Sequence, residues 1–229
     1  MNKKRLVAGL LTSATAVSLI AAGGTAFASE VDTNASKVGI GFSAHQPGGN
    51  GTLNLKWTPI ELDFGSSNTV NTAVADFAEQ DEVGGVRKFA VVEDERPHDS
   101  SDPDVEWKLT AKVSELVSTS NSATKLDGAV LKFDTDKHGH EGALPPESGG
   151  IIPATAQHTA QMDASYSLTT GALAATEVMK DGDAASGPTS FGGRTAMEMK
   201  NIKLTVPANV AQKGHQYTGD LTWSLDDTI

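Results

Sequence analysis

Two tryptophans draw attention first: Trp107, in Trp107-Lys-Leu109, and Trp223, in Trp223-Ser-Leu225. An exposed indole is a platform for sugar rings or for a partner's side chain, and a buried one is a large packing unit. Both readings are open for Trp107, Leu109, Trp223 and Leu225. Asp94 and Arg96 sit two apart, so on a strand they share a face as a surface ion pair or an inward structural pair. Asp99, Asp102 and Asp104 offer oxygen ligands of the kind calcium prefers, but not at EF-hand spacing. His138, His140 and Glu141 could ligate a metal, or be solvated in a glycine-rich stretch. We assign no metal and no cofactor. The chain has no Gly-x-Ser-x-Gly elbow, no His-Glu-x-x-His and no P-loop. Carboxylates abound, as in any acidic protein, but nothing in their spacing marks a catalytic pair. The expectation is a protein that is not an enzyme.

The elements that must position these residues read as strands. Val105 to Val113 alternates strictly: Val105, Trp107, Leu109, Ala111 and Val113 point one way, and Glu106, Lys108, Thr110 and Lys112 the other. Period two marks a strand with one buried face. Leu221, Trp223 and Leu225 repeat the pattern, as do Ile202, Leu204 and Val206, Ala129, Leu131 and Phe133, and Leu53, Leu55 and Trp57. Further strands are predicted over Ile60 to Phe64, over Lys88 to Val92 and around Tyr166 and Leu168. Pro59 favours a bend or an edge between the Leu53 to Trp57 and Ile60 to Phe64 strands. Glu93 to Asp104, Asp134 to Gly150 and Lys180 to Gly193 read as long surface loops, and Ala208 to Gln212 as a helical turn. Short strands between turn signals, without an internal repeat, indicate an all-β, single-domain β-sandwich or barrel-like fold.

Residues 1–28 stand apart from the fold. Lys3, Lys4 and Arg5 precede an apolar run from Leu6 to Ile20, and Ala26-Phe27-Ala28 has the form of a cleavage site. This is the anatomy of a secretory signal peptide, which leaves a mature domain of residues 29–229 and no membrane insertion after cleavage. The 229-residue chain contains no cysteine, so packing and strand pairing must hold it without disulfides. Its formal charge of −11 becomes −14 once Lys3, Lys4 and Arg5 are removed with the leader. Such a surface repels nucleic acid, anionic membranes and anionic wall polymers.

The paired Trp-x-Leu elements carry a resemblance. The second lies in Tyr217-Thr-Gly-Asp-Leu-Thr-Trp-Ser-Leu-Asp-Asp227, near the C-terminus. The chain resembles the WxL domain of Gram-positive cell-surface proteins, in which one Trp-x-Leu lies mid-domain and another closes the chain. Val91-Val-Glu-Asp-Glu-Arg96 is similar to the family's Asp-x-Arg segment, and Ile60 to Gly65 to its apolar-Phe-Gly segment. Pro97 departs from the glycine often found after that arginine. The resemblance implies non-covalent attachment to the cell wall, with peptidoglycan or another wall polymer as ligand and a role in a surface complex or adhesion. It also implies association with a WxL-interacting surface protein. The alternative is a partner-dependent subunit that docks on such a membrane-anchored protein, through its terminal strand, rather than on the wall. Leu144-Pro-Pro-Glu-Ser148 is not a sortase motif, so covalent anchoring by that route is not expected.

Overall fold

In the computed structural model, residues 29–38, 53–95, 106–155, 158, 160–181 and 193–228 are described. The leader, Arg96 and the Asp99, Asp102 and Asp104 cluster lie outside them. In chain order the strands are β1 (Ser29–Val38), β2 (Leu53–Trp57), β3 (Ala75–Ala78), β4 (Lys88–Asp94), β5 (Glu106–Val113) and β6 (Val117–Ser118). Then follow β7 (Val130–His140), β8 (Ile151–Pro153), β9 (Ser165–Thr169), β10 (Thr176–Lys180), β11 (Gly193–Val206) and β12 (Tyr217–Thr228). A helical turn, α1 (Gln80–Val83), lies between β3 and β4, and a 3-10 turn, Pro146–Ser148, between β7 and β8.

The strands make two antiparallel sheets, and the fold is all-β as the alternation predicts. One sheet runs β1-β12-β5-β10, with β6 paired to the start of β12. The other runs β2-β4-β11-β7-β8, with β3 against the second half of β11 and β9 against the first half of β7. Their inner faces share one core. Leu109, Ala111, Val113, Trp223 and Leu225 come from the first sheet, and Leu55, Val92, Phe133, Met197 and Leu204 from the second. Burial of apolar area on this scale is the main stabilising term, at roughly 1.5–3 kcal/mol for each large side chain.

Several elements differ from expectation, each for a physical reason. Residues 60–64 are not a strand. Asn68 Nδ2 donates to the Phe64 and Gly65 carbonyls at 2.7 and 3.1 Å, and Gly65 N–H donates to Asp63 Oδ1 at 2.8 Å. Local side-chain bonds have taken over backbone groups that a ladder would use. Leu62 and Phe64 are still buried, whereas Ile60 is 57% exposed. The stretch from Asp134 is not a loop until after His140, because β7 continues through both histidines. Residues 208–212 form a turn rather than a helix, with Asn209 at φ 61°.

The longest strand, β11, is broken by a bulge. Its register against β7 shifts between Lys200 and Lys203, and Asn201 takes φ 50°. Before the bulge Met197 and Met199 face the core; after it Ile202, Leu204 and Val206 do. The extra residue reverses which parity points inward. The bulge also frees two backbone donors. Glu82 of α1 receives both, from Asn201 N–H at 2.6 Å and Ile202 N–H at 2.7 Å. Glu79 caps α1 by accepting from Glu82 N–H at 2.6 Å, and its own N–H donates to the Ile202 carbonyl at 2.9 Å. The helical turn thus closes the gap that the bulge opens.

Candidate functional site

The two Trp-x-Leu elements form one layer. Strands β5 and β12 are direct neighbours, with Leu225 opposite Leu109, Trp223 opposite Ala111 and Asp227 opposite Trp107. Trp223, Leu109 and Leu225 are 0% exposed and Trp107 is 5% exposed. No ring face is left for a sugar or a partner, so these four residues are core rather than a binding platform. The docking reading also changes. β12 pairs with β5 on one side and β1 on the other, so it is an interior strand and offers no edge for strand addition. Strand addition needs a row of unpaired N–H and C=O groups, and β12 has partners for both rows.

Asp94 ends β4, opposite Leu53 and Gly193, and is buried. Its sequence companion Arg96 lies outside the described residues.

The outer face of the second sheet carries a charged cluster under a cover. Phe89, Val91 and Ala196 form a small second core with Trp57 and Ile151. Around it, Arg87 makes two bonds to Glu198, at 2.6 and 2.7 Å, and lies 4.7 Å from the Phe89 ring centre. His138 Nε2 is 2.8 Å from Glu198 Oε2, the oxygen that Arg87 Nη2 also reaches. Lys56 and Arg194 both bind Glu93. The hydrogen bonds from Arg87 hold Glu198 below the usual carboxylate range despite its burial, with His138 adding to them. For Glu93, burial pushes the carboxyl up, but the bonds from Lys56 and Arg194 together outweigh it and the net shift is downward.

His138 and His140 share this outer face, two apart on β7, but they do not converge. His140 is buried, with Nε2 3.1 Å from the Leu144 carbonyl and Nδ1 without a partner among the described residues. Burial lowers its pKa, partly opposed by that carbonyl. Glu141 is exposed. The group that does converge is Asp136, His138 and Glu198, whose ligand atoms lie within 4.8 Å of one another. Arg87 already occupies both oxygens of Glu198, and Lys200 binds Asp136. This is an ion-pair network with its charges met by protein cations.

A cleft of about 330 Å³ opens where β11 ends and β12 begins. This is near the lower end of ligand-pocket volumes, roughly 300–1,000 Å³. Leu62, Phe64, Phe77, Leu116, Leu126 and Leu204 give it an apolar floor. Asn68, Gln212, His215, Gln216 and Tyr217 line its rim. The walls are tied in place. Asn71 Nδ2 reaches the carbonyls of Ala73, Val206 and Pro207 at 2.6, 3.2 and 3.0 Å, which joins the 62–71 segment to the end of β11. Tyr217 Oη accepts from Gln212 N–H at 3.0 Å. His215 Nδ1 lies 2.8 Å from Ser118 Oγ, and its ring centre is 6.3 Å from that of Tyr217.

Neither alternation nor motif spacing marks this cleft, although two segments of the family resemblance build it. Ile60 to Gly65 supplies one wall, and the residues that open the C-terminal motif, Tyr217 and Thr218, supply another. The signal was a strand-breaking Asp-Phe-Gly-Ser-Ser-Asn run and an aromatic six residues before Trp223.

Two antiparallel sheets with a shared core, a buried Trp-x-Leu layer and a cleft beside the start of β12 define an all-β domain. The chain belongs to the WxL family: the family described as WxL domain surface cell wall-binding matches residues 32–228. It is a cell-surface WxL protein. No curated protein and no solved structure matches it. No helix among the described residues is long and apolar enough to cross a membrane.

Proposed function

We propose that residues 1–28 export this protein and that the mature domain, residues 29–229, is held non-covalently at the cell wall, with peptidoglycan as the polymer. It acts there without catalysis, as part of a surface complex or in adhesion. The family match across residues 32–228 carries this reading. The burial of Trp107 and Trp223 supports a division of labour, in which the signature residues hold the sheets together and the wall is met by loops and the terminal cleft. A WxL-interacting surface protein, if engaged, must likewise use a surface other than the paired edges of β12.

The test is co-sedimentation of the mature protein with purified peptidoglycan sacculi and with protein-stripped cells. Retention on sacculi is expected. Retention on neither, by a protein shown to be folded, would overturn direct wall binding. Recovery of retention only when a membrane-anchored surface protein is added would replace it with docking.

A further inference from the structure

We propose that the cleft between the 62–71 segment and the 211–218 turn is a sugar-binding subsite for a single neutral, N-acetylated hexosamine residue, and that it rejects phosphate-bearing wall polymers. The proposal rests on the wall-binding reading and assigns it a place and a chemistry.

Charge decides first. Among the described residues that line it, Asp63 is the one carrying a formal charge, and none is a lysine or arginine. A phosphodiester needs charge-assisted donors, which in proteins are chiefly arginine, lysine and helix N-termini. Here it would meet one carboxylate and the field of a chain with net charge −11. A neutral ligand meets no such opposition.

The polar groups decide second. Gln212, Gln216, Thr119 and Thr218 present amides and hydroxyls, which both donate and accept, while Asn68, whose Nδ2 serves the Phe64 and Gly65 carbonyls, adds only its acceptor oxygen. Sugar hydroxyls and an acetamide ask for that mixture. The apolar floor suits the acetamide methyl group and the C–H face of a pyranose. Tyr217 and His215 stand side by side with their planes 31° apart, both half-buried. Each ring is pinned through a heteroatom, Tyr217 by Gln212 N–H and His215 by Ser118. The aromatic wall is therefore ordered before a ligand arrives, which reduces the entropy lost on binding.

Size decides third. A cavity of about 330 Å³ between tied walls admits one ring, with the next unit leaving over the rim, rather than a length of polymer. Avidity for the wall would then come from many copies of a repeating unit, each contact weak.

The experiment is a titration of the 15N-labelled mature protein with N-acetylglucosamine and its β-1,4-linked trimer, followed by amide shifts. Glucose, glycerol-phosphate oligomers and a short wall stem peptide form the comparison arms. Shifts confined to residues 62–70, 116–119 and 211–218 are expected for the acetylated sugars, with affinity near the millimolar range usual for single-ring contacts. Glucose should bind at least several-fold more weakly, and the phosphate oligomers not at all. Tyr217→Ala should weaken the trimer about tenfold. Because that change also removes packing, Gln216→Ala, on the exposed rim, is the second variant. It should weaken binding with an unchanged melting temperature. Absence of shifts at about 10 mM sugar, shifts elsewhere, or a preference for the peptide or the phosphate oligomer would overturn the subsite. Sacculus retention is scored separately. Wild-type retention without sugar shifts defeats the cleft and leaves wall binding standing. Sugar shifts without retention do the reverse.

Discussion

Replacing Trp223 by alanine separates the two roles open to the signature. Trp223 is completely buried, between Ala111 of β5 and Asn34 of β1 in register, and belongs to the core that both sheets share. Truncating a buried aromatic to alanine costs roughly 3–5 kcal/mol, the transfer term plus the cavity left behind. A domain of this size loses about 2–4 °C of melting temperature per kcal/mol. The expected fall is therefore roughly 6–20 °C. Against a total stability of about 5–15 kcal/mol, the variant should still fold when cold. The assay pairs urea denaturation, for the free energy, with sacculus retention at a temperature where both proteins are folded. The core role requires a large loss of stability and near-normal retention by the folded fraction. A variant that melts like wild type but no longer binds sacculi would overturn the core role and make Trp223 a contact residue. Neutral quenching of single-tryptophan variants gives an independent check: Trp223 should be shielded, and half-buried Trp57 more accessible.

Three further outcomes are expected. Glu82→Ala strips the acceptor from the N–H groups of Asn201 and buried Ile202, at a cost of about 1–3 kcal/mol; hydrogen exchange should lose protection first at those two amides. Acid should destabilise the domain in two stages. His140 has its pKa lowered from 6.5 by burial, so below that pH the unfolded chain takes up the proton first and stability falls; His140→Gln should remove this upper limb from a pH series of melts. Glu93 and Glu198 are held below 4.5, so their contribution is present above that pH and is lost as the pH falls further. Gly139→Ala should release β8 and His158 from β7, because a new Cβ would meet the His158 ring and come within 2.8 Å of Ile152 Cγ1; increased proteolysis near β8 would show it.

How far the fold was legible depended on whether alternation survived along each strand. β5 and β12 pair without an irregularity in their register and bury one face, so their period-two pattern reads directly from the sequence. In β4 every residue is buried, because the second small core and its covering segment hide the outer face as well. Its polar residues, Glu93 and Asp94, therefore read as the start of an acidic loop. β11 lost its pattern twice. Its first half is covered on both faces, and the bulge at Asn201 then reverses the inward parity, so only the half from Ile202 is visible to a period-two test. Around His138 and His140 the glycines suggest a loop. Gly139 is instead a strand residue whose missing side chain makes room for His158 and Ile152. The metal reading of the histidines failed on direction: His138 turns to Glu198 and His140 to the Leu144 carbonyl. The cleft was not legible because it depends on tertiary closure. Its walls come from four separated stretches of chain, joined by bonds such as those from Asn71 to Val206 and Pro207.

The course of β12 explains how a signature can mark a binding family without touching a ligand. Tyr217 and Thr218 line the cleft, and Trp223 and Leu225 lie further along the same strand, locked between β1 and β5. Side chains two apart share a face, so the residues that anchor β12 in the core also fix the register at which Tyr217 reaches the cleft. A slip of one residue would turn Trp223 out to solvent and turn Tyr217 off its wall. Gly219 lies between the two parts: a Cβ there would lie 2.8 Å from Leu116 Cδ2 and 2.9 Å from the Glu115 carbonyl. The chain must pass close to the 114–116 turn to bring Tyr217 beside Leu116. The tryptophan and its leucine thus act on the cleft through geometry, by holding the strand whose first residues line it.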